Sequence, residues 1–341
     1  MKIAIVTINK PSLNSGLKLN SFLQEYDTTI FTSKKTPLED IDRSKVKLYD
    51  KLDDILSESW NSYDIIITIL AIGAVIRKIA PYLKSKESDP AIIVINLTLD
   101  KVVPLLSGHL GGGNEFSEIL STKLNAINFI TTATDQTKTI AFEMIAKKND
   151  WDIKNLKALA NISNRLLNKQ KVKVATYKNI FYTLDNNINL ELIDFKNIDT
   201  NTVIISPFYD KKYTNLLLQP KIFLGIGCNR DTSFEDIDKA VFEFLTNHNL
   251  QFSQIKNIAS FEAKQDEQGL LQFAKKYNFN IQFYNKDDIN NLSNNFSKSA
   301  STKFFGLKGV AEPSSILVCT YKELIIKKEV FYKSITISAS I

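Results

Sequence analysis

Cysteine and histidine are scarce in this 341-residue chain. The two cysteines, Cys228 and Cys319, stand in unrelated contexts and cannot build a disulfide framework or a cysteine-rich zinc site. The two histidines, His109 and His248, are too few for a multi-histidine centre, so no protein-held metal or cofactor is expected and any metal would arrive inside a ligand. Long apolar runs are also missing. The longest, Ile65 to Ile76, has 12 residues, whereas a membrane-spanning helix needs about 20. The N-terminal MKIAIVTINK lacks the apolar core and small-residue cleavage site of a signal peptide and reads as a first strand. A cytoplasmic, reducing location is expected, with no membrane partner. No run of lysine and arginine is long or pure enough for a phosphate-tracking arm. The net charge of +6, from 43 basic and 37 acidic residues, favours an anionic small molecule over nucleic acid. Assembly is left open, a homodimer being one option.

What is present is a globular composition, 44% hydrophobic and 23% charged. The length exceeds one ordinary core and implies two or three lobes. Residues 1–149 alternate strand candidates (IAIVT 3–7, DIIITIL 64–70, AIIVI 91–95, NFITTA 128–133) with helical patterns (16–26, 49–60, 73–83, 114–125). Near-continuous isoleucine and valine suggests strands buried on both faces. This is the rhythm of a doubly wound, mainly parallel α/β domain, placed at 1–136. A small α+β middle domain is expected at 137–218, with helix 155–167 and strands 171–177, 180–184 and 202–207. An α/β C-terminal domain is expected at 219–341. It would hold strand KIFLGIG, helices 234–249 and 266–277, strands 254–261 and 280–284, a helix near Ala311–Cys319, and a hairpin of KELIIKK and VFYKSITISA.

Several segments carry chemistry. In LLSGHLGGGNEF, Ser107 and four glycines (Gly108, Gly111, Gly112, Gly113) lie between an apolar strand and a helix, with Asn114 a candidate cap. Glycines admit close backbone approach, and amides at a helix start favour an anion. A tight turn without ligand is the plain alternative. His109 sits inside this loop and can carry a proton near neutral pH. TTATD offers Thr132, Thr134 and Asp135, the last equally suited to capping a helix. GAVIRKIAP places Gly73 at a strand–helix switch and Arg77 one turn on, where it can clamp a carboxylate or stay solvated. Lys86 and Asp89 are weaker candidates on the next loop. GIGCNRDTS repeats the glycine-loop pattern, with Arg230 and Ser233 for an anion and Ser233 also a helix cap. Cys228 has no partnered base and reads as structural. Lys264 and Glu267 precede a helix, and Glu312 stands at another helix start, where a capping carboxylate is the alternative.

No Walker lysine, G-x-G-x-x-G or G-x-S-x-G is present, which argues against nucleotide binders and serine hydrolases. The ordered series GAVIRKIAP, K-x-x-DPA, LLSGHLGGGN, ITTATD, LGIGC-x-R-x-TS, A-x-K-x-DE-x-GLL and GVAEPS instead resembles the CbiG family, from about Gly73 to the C-terminus. Gly113 stands where that family often has alanine. The resemblance implies hydrolysis of the δ-lactone of cobalt-precorrin-5A, with release of acetaldehyde, in anaerobic cobalamin synthesis. The substrate would be a polycarboxylate tetrapyrrole that brings its own cobalt. Such chemistry needs a base, for which Glu312 and Asp135 are candidates. It needs oxyanion donors, for which the amides at 111–114 and His109 are candidates. Arg77, Arg230 and Lys264 would grip carboxylate arms, with both glycine loops facing a shared cleft. A non-catalytic carrier of a corrin intermediate is the main alternative.

Overall fold

The computed structural model describes residues 1–39, 41–85, 88–132, 139–184, 187–208, 210–298 and 306–341. Two compact units emerge, Met1–Thr139 and Ile140–Ile341.

The first unit is a seven-stranded sheet in the order β3-β2-β1-β4-β5-β6-β7. Its strands are β1 (Lys2–Val6), β2 (Asp27–Ser33), β3 (Val46–Tyr49), β4 (Ile65–Thr68), β5 (Ala91–Ile95), β6 (Lys101–Leu106) and β7 (Ile127–Asn128). Strands β1 to β5 run parallel, β6 pairs antiparallel with β5, and β7 follows β6. Alternation sorts the two faces. Ile3, Ile5, Ile67, Ile93 and Ile95 meet Leu13 and Leu19 of helix α1 (Lys10–Ser21). Phe116 and Leu120 of a later helix (Gly113–Leu124) close the same face. Ala4, Val6, Ile66, Ile92 and Val94 meet Ile55 and Leu56 of α2 (Leu52–Trp60) and Val75 and Ile79 of α3 (Ile72–Ile79). The helix Gly113–Leu124 is α4. A doubly wound, mainly parallel sheet results, as expected.

Local chemistry shifts several borders. Helix α1 begins six residues before the expected Gly16, because Asn9 and Ser12 form a capping box and Pro11 suits the first turn. β2 and β3 were not anticipated; DTTIFTS and VKLY are too polar to read as two-faced buried strands. Of the described part of NFITTA (128–132), only Asn128 is in a strand, the two-residue β7 that Ile127 begins.

The second unit carries two five-stranded sheets. The middle one is ordered β10-β9-β11-β12-β8. Its strands are β8 (Asp152–Lys154), β9 (Val172–Ala175), β10 (Leu190–Ile193), β11 (Val203–Ile205) and β12 (Leu217–Gln219). Its helices are α5 (Phe142–Asn149), α6 (Leu159–Leu167) and α7 (Lys178–Phe181). The expected strand IFYTL is instead the end of α7 and a turn. Ile180, Phe181 and Leu184 face the core at helical spacing, and Asn179 is held by the Glu323 carboxylate and the Tyr321 carbonyl, both at 2.9 Å.

The C-terminal sheet is ordered β15-β14-β13-β17-β16. Its strands are β13 (Ile222–Cys228), β14 (Ile255–Phe261), β15 (Gln282–Tyr284), β16 (Leu324–Phe331) and β17 (Ile335–Ser340). Helices α8 (Phe234–Asn247), α9 (Gln268–Lys276), α10 (Lys286–Asn290) and α11 (Ala311–Val318) accompany them. The terminal hairpin turns at 332–334, inside the segment expected to be one strand. One apolar core runs through both sheets, and the side chains of Gln219 and Gln254 both donate to the Pro207 carbonyl, at 3.0 and 2.8 Å.

Helix α11 lies directly on β13. A Cβ built on Gly225 would stand 1.8 Å from the Ala311 carbonyl oxygen and 2.7 Å from the Ser315 nitrogen. Backbone atoms cannot yield as a side chain does, so Gly225→Ala is expected to cost about 1–3 kcal/mol or more. Gly73→Ala, whose nearest neighbour is the Arg77 guanidinium at 3.4 Å, should leave stability unchanged or slightly raised. Equilibrium unfolding in denaturant checks both; equal midpoints for Gly225→Ala and the parent would contradict the close strand–helix packing.

Candidate active site

The loop 107–112 follows β6. Because β6 is antiparallel to β5, with Leu106 beside Ile92 and Val102 beside Ile95, its carboxyl end emerges at the amino edge of the parallel strands. His109 therefore stands at the edge opposite the carboxyl-edge crevice where α/β sheets commonly bind ligands. The loop is tightly wound. The amides of Gly112, Gly113 and Asn114 donate to the carbonyls of His109, Ser107 and Gly108 at 2.9, 3.1 and 2.9 Å. These three amides are thus engaged and are not oxyanion donors. Those of Leu110, Gly111 and Glu115 have no partner among the described residues.

Gly112 caps α4 with φ 79°, in the left-handed region that glycine tolerates. Asn114 does not cap the helix as expected; its side-chain amide donates to the Thr132 hydroxyl at 3.1 Å. That bond joins the Gly-rich loop to the segment after β7. Gly108 lies under the Asn114 amide and Gly111 against Ser107, each too close for a Cβ. Ser107 holds a left-handed backbone, φ 52°, and its buried hydroxyl has no partner among the described residues. His109 is half-buried. Lys86, Thr134 and Asp135 lie outside the described residues.

Helix α3 bears Gly73 and Arg77 on its exposed side. The Arg77 guanidinium donates to the Gly73 carbonyl at 3.1 Å and has no carboxylate partner among the described residues. It is a cation available to an anion. Asp89 is buried and accepts from the Lys84 amide at 3.2 and 3.0 Å, a structural task.

In the second glycine segment both glycines lie in the strand, and residues 229–233 form the loop. GIGC is the buried carboxyl-terminal end of β13, covered by α11, and its glycines serve close packing. The anion-loop expectation for it is corrected. Arg230 turns to Asp266 and, at 3.6 Å, to the buried Glu267. Lys264 lies 3.7 Å from the same Glu267 carboxylate. These charges are therefore already matched. The bond to Asp266 holds the Arg230 pKa above its ordinary value and the Asp266 pKa below. The Ser233 hydroxyl caps α8, accepting from the Asp236 amide at 3.1 Å. Burial pushes the Cys228 thiol up to about 11, so it is inert as a nucleophile at neutral pH.

Glu312 is 3% exposed. Its carboxylate accepts from the Ser297 amide at 2.7 Å, the Ser297 hydroxyl at 2.7 Å and the Lys328 amide at 2.9 Å. Burial by itself would raise its pKa; the Lys328 and Ser297 amides and the Ser297 hydroxyl outweigh it and hold the pKa below the ordinary carboxylate value. This geometry makes Glu312 a clamp between α11, the 297 segment and β16, in place of the expected base.

The sequence reading also missed a groove of about 450 Å³ on the first sheet, lined by Leu70, Ile72, Val94, Asn96, Lys101, Val103 and Phe129. A second hollow of about 190 Å³, lined by residues including Ile8, Asn9 and Ala71, adjoins the ends of β1 and β4. Among the described residues no cluster of three His, Cys, Asp or Glu side chains could hold a metal ion. No helix among them is long and apolar enough to cross a membrane.

Three family models match in chain order. Cobalamin synthesis G N-terminal covers residues 54–135, Cobalamin biosynthesis central region 140–220, and Cobalamin synthesis G C-terminus 222–340. The chain belongs to the CbiG family. A Cobalt-precorrin-5A hydrolase from Priestia megaterium is 27% identical over 331 residues, covering 92% of this CbiG chain and 88% of the relative. One of the same name from Salmonella typhimurium is 27% identical over 276 residues, covering 76% and 78%. A cobalamin biosynthesis protein G homolog from Sulfolobus solfataricus is 24% identical, with TM-score 0.41, covering 99% of this chain and 96% of that one.

The Glu312 clamp of this CbiG protein has a testable pH signature. A carboxylate whose folded pKa is lowered contributes stability above its unfolded pKa of about 4.5 and loses it as pH falls through the folded value. Glu312→Gln leaves at least one buried donor unmatched, at about 1–3 kcal/mol. Thermal unfolding should show the deficit at pH 7 and a smaller one below pH about 4. A deficit that grows on acidification would contradict the clamp.

Proposed function

We propose that this protein hydrolyses the lactone of cobalt-precorrin-5A, releasing acetaldehyde, during corrin-ring construction. The observation that carries this reading is the uninterrupted order of the three family models, joined to a hydrolase relative aligned over 92% of the chain. In this reading the cobalt enters with the substrate and no further cofactor takes part. A cytoplasmic location and a homodimer are compatible with it.

The chemistry falls to the first unit. Water attacks the lactone carbonyl and the carbonyl oxygen becomes an oxyanion. The amides of Leu110, Gly111 and Glu115 are the donors left in the Gly-rich loop to meet it, and one such donor is worth about 10²–10³ in rate. The buried Ser107 hydroxyl and the strained turn it sits in are features that concentrate where a site is pre-organised. His109 carries the proton between the attacking water and the departing alkoxide. Asp135 is the carboxylate candidate that remains once Glu312 is assigned to the clamp. After ring opening, the alkoxide carbon leaves with its methyl group as acetaldehyde, and the bonding electrons pass to the conjugated macrocycle. Arg77 receives a carboxylate arm.

The test is acetaldehyde release from the purified protein and the lactone substrate. His109→Ala is expected to lower kcat about 10²–10⁴-fold, the usual contribution of a positioned proton carrier, with KM little changed. Cys228→Ser should keep parental activity. Binding of substrate with no acetaldehyde from the parent would support the carrier reading and sink this one.

A further inference from the structure

The groove on the first sheet is not accounted for by the reaction above. It is lined by Val94, which is 4% exposed, and Val103 on β5 and β6, and bordered by Leu70, Ile72 and Phe129. Helices α2 and α3 pack on the same face, against Val94 and Val103 among others. Ile72 is 40% exposed, Ile76 48% and Phe129 46%. Apolar side chains gathered beside a hollow mark a binding surface more often than chance. The rim is cationic on the helix side. Ile72 and Ile76 form one stripe of α3; Gly73 and Arg77 form the next, and Arg77 has no carboxylate partner among the described residues. Lys101 lines the groove, half-exposed, 3.3 Å from Asp100. The side chains of Asn96 and Thr98 tie Asp100 into the turn before β6.

We propose that this groove seats the flat face of a carboxylate-fringed tetrapyrrole, a location that rests on the functional reading above. The ring lies over Val94 and Val103 with its edges against Ile72 and Phe129, and a peripheral carboxylate pairs with Arg77. From Val103 the strand runs four residues to Ser107, about 13 Å. The groove and the Gly-rich loop are thus two ends of one strand. A macrocycle on the floor directs one edge at His109.

Uroporphyrin, a planar ring with carboxylate arms, is the probe, titrated by fluorescence into the full chain. Benzene hexacarboxylate, with comparable charge and little apolar face, is the competitor. The expected outcome is that Ile72→Glu and Phe129→Glu weaken uroporphyrin binding at least tenfold, and Arg77→Gln several-fold with a shallower salt dependence. Benzene hexacarboxylate should compete poorly. Both apolar sites are partly exposed, so the variants should fold; unfolding midpoints check this. Parental affinity in the folded Ile72→Glu and Phe129→Glu variants, or no binding by the parent, overturns the proposal. So does a parental dimer that these substitutions dissociate, which would make the groove a contact between two copies. Acetaldehyde release by the parent is scored separately. Release with unchanged KM in the groove variants removes the seat and keeps the hydrolase. Groove-dependent binding without release keeps the seat and removes the hydrolase.

Discussion

The antiparallel pairing of β6 against β5 governs the first unit. Had β6 entered parallel, like its five predecessors, a crossover helix would have covered the β5–β6 face, and the Gly-rich loop would have opened at the carboxyl edge. Reversal does two things together. It leaves a groove beside α3 that Val94 and Val103 help to line, and it delivers Ser107, next to Leu106, to the amino edge of the sheet. The groove and the loop that bears His109 follow from a single change of strand direction. The turn that makes the reversal is held by Asn96, Thr98 and Asp100, which are bonded to one another.

The glycines divide by physical cause. Gly112 answers a left-handed backbone at a helix start. Gly108 and Gly111 allow a short loop to fold onto its own Ser107 and Asn114, and Gly225 allows a helix to touch a strand. A turn that satisfies its own carbonyls offers few amides to a ligand but holds them rigidly. An oxyanion site profits from that trade, since donors that need no reorganisation are worth most. In the C-terminal sheet the same residue type serves close packing of strand and helix. There the charged neighbours Arg230, Lys264, Asp266 and Glu267 neutralise one another.

Much of the fold was legible in the sequence. IAIVT, DIIITIL and AIIVI declare strands buried on both faces, and the helix periods of α2, α3 and α4 fall within a few residues of their true bounds. The start of α1 was written in Asn9, Pro11 and Ser12, a signal outweighed by the later apolar pattern. β2 and α7 were hidden because their residues obey tertiary packing over local preference: Thr-rich DTTIFTS is a strand, and β-rich IFYTL is not. The site was legible in its residue types and illegible in its direction. Strand sense is a long-range property, so the motif SGHLGGGN could not say at which edge it opens. Glu312 misled for a related reason. A helix-start carboxylate looks alike whether it faces solvent or, as here, the amides of Ser297 and Lys328. Ile72 and Phe129 gave only the faint signal of apolar residues at the edges of expected elements.

A crystal structure of the full chain soaked with uroporphyrin addresses the central claim most directly. Ring density over Val94 and Val103, flanked by Ile72 and Phe129 and with one edge toward His109, is the result this account predicts. A ring bound away from the β5–β6 face, with the groove empty, would contradict it.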